Sequence, residues 1–212
     1  MAPTVPDAPQ VPTVILASAS PRRRELLSRL AVPFTVMPAD VNEQQHPGEA
    51  PLSYVMRMAQ TKAAHIAQHF PEALVLGADT VVVLGQQVLG KPANTAHAQH
   101  MLTQLSGRQH TVITGLALLR HCQQLVYLDS VSTRVQFRRL SAADIAQYIA
   151  TDEPFDKAGA YAIQGHAAAF VASVDGCYTN VVGLPLHRTA TLLQAAGVAV
   201  TTPPERSEKT AW

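Results

Sequence analysis

Short apolar runs rich in β-branched residues alternate along this chain with segments of helical period, and that alternation restricts the fold to the α/β class. Thr13–Ser18 and Pro33–Met37 read as strands on either side of a helix over Pro21–Leu30, whose Leu26, Leu27 and Leu30 share one face. A polar loop, A-D-V-N-E-Q-Q-H-P-G-E, leads into a long helix over Leu52–His69. The run L-V-L-G-A-D-T-V-V-V-L is too β-branched to be a helix, and Thr95–Leu105 is helical up to Gly107. From His110 to Leu140 two long β-type runs flank H-C-Q-Q, an antiparallel pair. Ser141 is a good cap for a helix over Ala142–Ala150. Ala168–Val174 and Cys177–Val182 flank Asp175-Gly176 and are expected to form a hairpin, and a helix over Leu186–Ala196 closes the pattern. Parallel-type and hairpin connections in one chain imply a mixed sheet with flanking helices.

The pattern fills residues 13–200, a length that allows one large domain or two small ones, between a proline-rich leader (1–12) and a tail (201–212) that are expected to be disordered. A formal net charge of +1 argues against binding nucleic acid by bulk electrostatics, so any anion site must be local. The two cysteines, Cys122 and Cys177, fit neither a zinc site nor a disulfide framework, which points to a reduced, cytoplasmic setting. No stretch approaches the roughly 20 apolar residues that cross a bilayer, and the leader has neither a basic nor an apolar region of the secretory kind.

Chemistry is concentrated in a few places. In S-A-S-P-R-R-R-E-L-L, Ser20 can cap the helix and Pro21 suits its first position, which aims free N–H groups at whatever lies beyond the strand. Arg22, Arg23 and Arg24 oppose the helix dipole there; either a polyphosphate offsets them, or they are three solvated arginines on an exposed turn. Asp79 interrupts an apolar strand and must be paired, hydrogen-bonded or metal-bound, with a structural salt bridge as the plain alternative. Glu43 can supply a second carboxylate, and two carboxylates beside basic residues suit Mg²⁺ or Mn²⁺.

G-Q-Q-V-L-G-K-P is one letter from a phosphate-binding loop, but Pro92 replaces the metal-binding hydroxyl and Gly85-Gln86 looks like a hairpin turn. Lys91 is left as a lone cation able to meet phosphate. The His65/His69 and His97/His100 pairs lack the glutamate of a zinc helix. In D-E-P-F-D-K-A-G-A-Y-A-I-Q-G, two glycines, Lys157 and Gln164 suggest a loop shaped for a ligand, and Gln164 offers the donor and acceptor that match the O4 and N3–H edge of uracil or thymine.

Together S-A-S-P-R-R-R-E-L-L, G-A-D-T-V-V, L-G-K-P, D-K-A-G-A-Y-A-I-Q-G and V-V-G-L-P-L resemble the Maf family of nucleotide pyrophosphatases, from about Val14 to about Ala196. The A-G-A-Y-A-I-Q-G version is similar to the subfamily acting on dTTP and UTP rather than the one preferring 7-methyl-GTP. The resemblance implies a Maf/ITPase-like mixed sheet around a central cleft, often in a homodimer. It further implies hydrolysis between the α- and β-phosphates with a divalent cation (Mg²⁺, Mn²⁺ or Co²⁺).

Carried over to this chain, it makes Asp79 the general base and, with Glu43, the metal-binding group. Arg22, Thr80 and Gln164 become the specificity residues, and Ser20, Arg23, Lys62 and Lys91 the phosphate-binding ones. Asn42 departs from the family, which often has an acidic residue there, and shifts the metal load onto Glu43 and Asp79. The family is also associated with septum inhibition; the intact residue set speaks against a purely non-catalytic role.

Overall fold

The computed structural model describes residues 13–201. The leader, and the tail after Thr201, lie outside the described residues. Strands β1 (Val14–Leu16), β2 (Phe34–Val36), β3 (Leu74–Leu84), β4 (Gln87–Leu89), β5 (Gln109–Arg120), β6 (Leu125–Phe137) and β7 (Val171–Asp175) make one mixed sheet. Helices α1 (Pro21–Ser28), α2 (Pro51–Ala67), α3 (Thr95–Leu105), α4 (Ala142–Ile149), α5 (Tyr178–Val182) and α6 (Leu186–Ala195) flank it. The strand order is β2-β1-β3-β5-β6-β7, with β4 hairpinned onto β3 through Gly85-Gln86. β1 runs parallel to β2 and β3, and the other pairs are antiparallel.

The chain steps from β1 to β2 on one side, then returns past β1 to β3 on the other. With right-handed crossovers, that reversal puts α1 and α2 on opposite faces of the sheet. The core agrees with the period-2 alternation of β1: Val14 and Leu16 pack with Leu26 and Leu27 of α1, while Ile15 and Ala17 pack with Ala59 and Ala63 of α2. Two glycines let α2 lie close on the sheet. A Cβ at Gly77 would stand 2.2 Å from the Ala59 carbonyl oxygen, and one at Gly115 would stand 2.5 Å from that of Val55. Both obstacles are backbone, so a side chain at either position would have to lift the helix.

One edge of β3 is shared. β1 pairs with Leu74–Leu76 and β4 with Val82–Leu84, while β5 takes the opposite edge. The sheet therefore parts alongside residues 77–81, the stretch that holds Asp79 and Thr80.

The expected hairpin about Asp175-Gly176 is not formed. β7 pairs with β6 instead, residues 168–170 belong to a 3-10 turn, and 178–182 is the helix α5. Fully buried Asn180 explains the change, because its Nδ2 donates to the Val112 carbonyl at 3.0 Å and to Thr133 Oγ1 at 2.9 Å. Thr133 Oγ1 also accepts from the Cys177 amide at 3.0 Å and donates to its carbonyl at 3.1 Å. These tertiary bonds override the local β preference of a short run.

Candidate active site

All nine of the expected site residues line one cleft of about 520 Å³, and the cleft opens where β3 passes from β1 to β4. Successive strand residues point to opposite faces, so Asp79 and Thr80 serve opposite walls.

Asp79 faces α2. Lys62 Nζ donates to Asp79 Oδ1 at 2.7 Å and lies 2.8 Å from Glu43 Oε1, one ammonium held between two carboxylates. Lys62 and Asp79 are each only 7% exposed, whereas the Glu43 side chain is half in solvent. Burial alone would raise the Glu43 carboxyl. The Lys62 hydrogen bond and the charges of Lys62, Lys91 and Arg23 outweigh burial and leave it below the ordinary range. The loop bearing Glu43 is tied to α2: Tyr54 donates to the Glu43 carbonyl at 2.7 Å, and Arg57 donates to the Gln44 carbonyl while clamping Glu49. Burial and the Asp79 and Glu43 charges push the Tyr54 hydroxyl up to about 12.

Thr80 faces α1. Ser20 caps that helix by accepting from the Arg23 amide at 3.4 Å, as expected. Arg23 is then drawn inward, donating from Nε to the Gly183 carbonyl (2.9 Å), from Nη1 to Ser18 Oγ (3.3 Å) and from Nη2 to Thr80 Oγ1 (3.0 Å). Burial lowers its pKa against the attraction of Asp79. Arg22 lies 3.7 Å from Asp156, and Arg24 is exposed. The three adjacent arginines thus have three different environments, and protein oxygens already meet part of the charge that opposes the helix dipole.

Thr80 Oγ1 is 2.9 Å from Thr114 Oγ1 and 3.4 Å from the Gly183 carbonyl, while Thr114 Oγ1 reaches the Asn180 carbonyl at 3.3 Å. A hydroxyl has one proton. When Thr80 donates to Thr114 and Thr114 to Asn180, Arg23 occupies one lone pair of Thr80 and the other is left as an acceptor toward the cleft; in the reverse sense Arg23 and Thr114 take both.

The family model for Maf-like proteins matches residues 13–196. The chain belongs to the Maf family. Among its relatives, the dTTP/UTP pyrophosphatase of Myxococcus xanthus is 54% identical over 87% of this chain and 93% of its own length. That of Symbiobacterium thermophilum is 50% identical over 89% and 96%. A HAM1 protein from Coxiella burnetii superposes with a TM-score of 0.50 at 19% identity, over 87% of this chain and 99% of that one, a likeness of fold.

The Maf cleft also holds residues to which the sequence analysis assigned no role. Asp156 and Lys157 form an ion pair at its rim, and Ser18, Tyr54, Tyr161 and Gly183 complete its walls. Lys157 carried a signal, as a cation in a glycine-bearing loop. Tyr54 carried none, since it reads as one more apolar position of α2. Arg22, Arg23, Lys62, Lys91 and Lys157 outnumber Glu43, Asp79 and Asp156, so a nearly neutral Maf chain presents a locally cationic cleft.

Among the described residues no three His, Cys, Asp or Glu side chains converge as a metal cage. Asn42 turns its Oδ1 to the Gln44 amide at 2.9 Å. The expected donor set is thus Glu43 and Asp79, each with one oxygen on Lys62. It suits a hard cation that takes one or two carboxylates and completes its shell with water and phosphate oxygens.

Beneath the cleft, Tyr161 meets the buried His110, Nε2 to hydroxyl 2.8 Å. Burial depresses the His110 pKa from 6.5 to about 4. Unfolded chains take up this proton below pH 6.5 and the native state does not, so stability is complete above 6.5 and falls as pH drops toward 4. The loss is at most about 3 kcal/mol. Denaturant unfolding at pH 7 and pH 4.5 should show a loss that His110→Gln largely removes.

Proposed function

We propose that this protein is a nucleoside triphosphate pyrophosphatase that hydrolyses dTTP and UTP to the monophosphate and pyrophosphate. What carries the assignment is the pairing, within one cationic cleft, of the Asp79–Lys62–Glu43 cluster on one wall with Gln164 and the acceptor face of Thr80 elsewhere. The dTTP/UTP pyrophosphatases at 50–54% identity support the choice of substrate.

Lys91 and Lys157 meet the triphosphate charge at the rim, Arg23 contributes through the N–H capacity it has left, and Arg22 helps to read the nucleotide. Asp79 orients the attacking water and takes its proton, and Lys62 holds that carboxylate in place while compensating charge on the phosphoryl oxygens. Glu43 and Asp79 would hold the divalent cation (Mg²⁺, Mn²⁺ or Co²⁺), which supplies charge neutralisation to the reacting phosphoryl group. Gln164 pairs with the O4 and N3–H edge of the base.

We place the protein in the cytoplasm as a homodimer. Both cysteines are free thiols, and among the described residues no helix is long and apolar enough to cross a membrane.

A panel of nucleoside triphosphates with each metal tests the assignment, read as released pyrophosphate. UTP and dTTP should lead; turnover of 7-methyl-GTP far above both would overturn the choice of substrate.

A further inference from the structure

Gln164 is exposed at the cleft, in a turn closed by the Gly165 amide donating to the Ala162 carbonyl at 3.1 Å. An exposed amide side chain on a turn discriminates between bases only if the turn is held still. Two residues outside the described machinery hold it. Just before the turn, the Ala162 amide donates to the Tyr148 hydroxyl at 3.1 Å. Just after it, the His166 amide donates to Glu153 Oε2 at 3.1 Å, with His166 Nδ1 3.0 Å from the same oxygen.

The two tethers are joined, because Tyr148 donates its own proton to Glu153 Oε1 at 2.9 Å. Tyr148 is buried at the end of α4, and Glu153 opens the 3-10 turn that follows it. The carboxylate also lies flat against Gly165, where a Cβ would come within 2.2 Å of Glu153 Oε1. A side chain at that position would push the end of Glu153 away from its tethers.

We infer that Tyr148 and Glu153 form a positioning pair that fixes Gln164 and so sets base selectivity without touching the nucleotide. The inference rests on the proposed role of Gln164 in reading the base. Chemistry makes the pair specific. One oxygen of Glu153 faces an O–H and the other an N–H, so the site needs two acceptors on one side chain. A glutamine of the same shape has only one acceptor. Turned to the His166 amide, it presents an N–H to Tyr148, whose hydroxyl then accepts from both that side chain and the Ala162 amide. The buried Tyr148 proton is left without the acceptor it has now.

The test is a double-mutant cycle on the full chain, with steady-state kinetics on UTP, dTTP and CTP and a thermal melt of each variant. Glu153→Gln should raise KM for UTP and dTTP about tenfold, with kcat within about twofold. Preference over CTP should fall by a similar factor, and Tyr148→Phe should act in the same direction. In a Gln164→Ala background neither change should add to the effect already present.

Equal losses on CTP and UTP, additive losses with Gln164→Ala, a silent Gln164→Ala, or unchanged kinetics in Glu153→Gln would each overturn the pairing. Should Glu153→Gln melt near the assay temperature, Tyr148→Phe runs the same cycle. A wild type that ignores UTP and dTTP refutes the substrate assignment separately, and the coupling is then read on whichever triphosphate it does hydrolyse.

Discussion

Asp79→Asn is expected to fold normally and to lose about a thousandfold in turnover of UTP and dTTP, the scale of a removed general base. The substitution keeps the shape of the side chain and an oxygen able to accept from Lys62, and Glu43 still partners that ammonium. What disappears is the negative charge, and with it the ability to take a proton from water. Folding and catalysis should therefore separate. The check is single-turnover and steady-state hydrolysis beside a thermal melt of the same protein. A well-folded variant retaining a tenth of wild-type turnover would remove Asp79 from the chemistry and leave it a structural partner of Lys62.

That separation depends on how the fold delivers Asp79, which the sequence discloses only in part. The alternation of strands and helices was legible because most elements carry their own period and boundary signals, such as Ser20, Ser141 and the Gly85-Gln86 turn. α5 was not, because five residues are too few to fix a period and a distant partner, Thr133, decides the conformation of Asn180.

The candidate site shows the same division. A carboxylate inside an apolar strand is visible in sequence because burial obliges it to have a partner, and Lys62 is that partner. The direction of each side chain is less visible. Asp79 and Thr80 are adjacent, yet one meets α2 and the other Arg23 of α1. They share a cleft only because β1 ends and β4 begins on the same edge of β3. That gap is a property of pairing, not of any local motif. Tyr148 and Glu153 are likewise silent in sequence, since their bonds reach residues 13 and 14 positions away.

The buried ammonium gives the second large effect. Lys62→Met should lower stability by roughly 3–5 kcal/mol at neutral pH, the usual result of stripping one partner from a buried ion pair. The cost falls on Asp79, a carboxylate whose side chain is 10% exposed and which would lose its 2.7 Å partner. Glu43 contributes little to the loss because its side chain is 48% exposed and remains hydrated. Adding Asp79→Asn to Lys62→Met should therefore recover most of the stability while restoring no turnover, a non-additivity that denaturant unfolding of the four proteins would display. If Lys62→Met lost less than about 1 kcal/mol, the pair would be no more than a solvated contact. Lys62 would then have no structural reason to be buried, and its place between two carboxylates would have to be explained by the substrate alone.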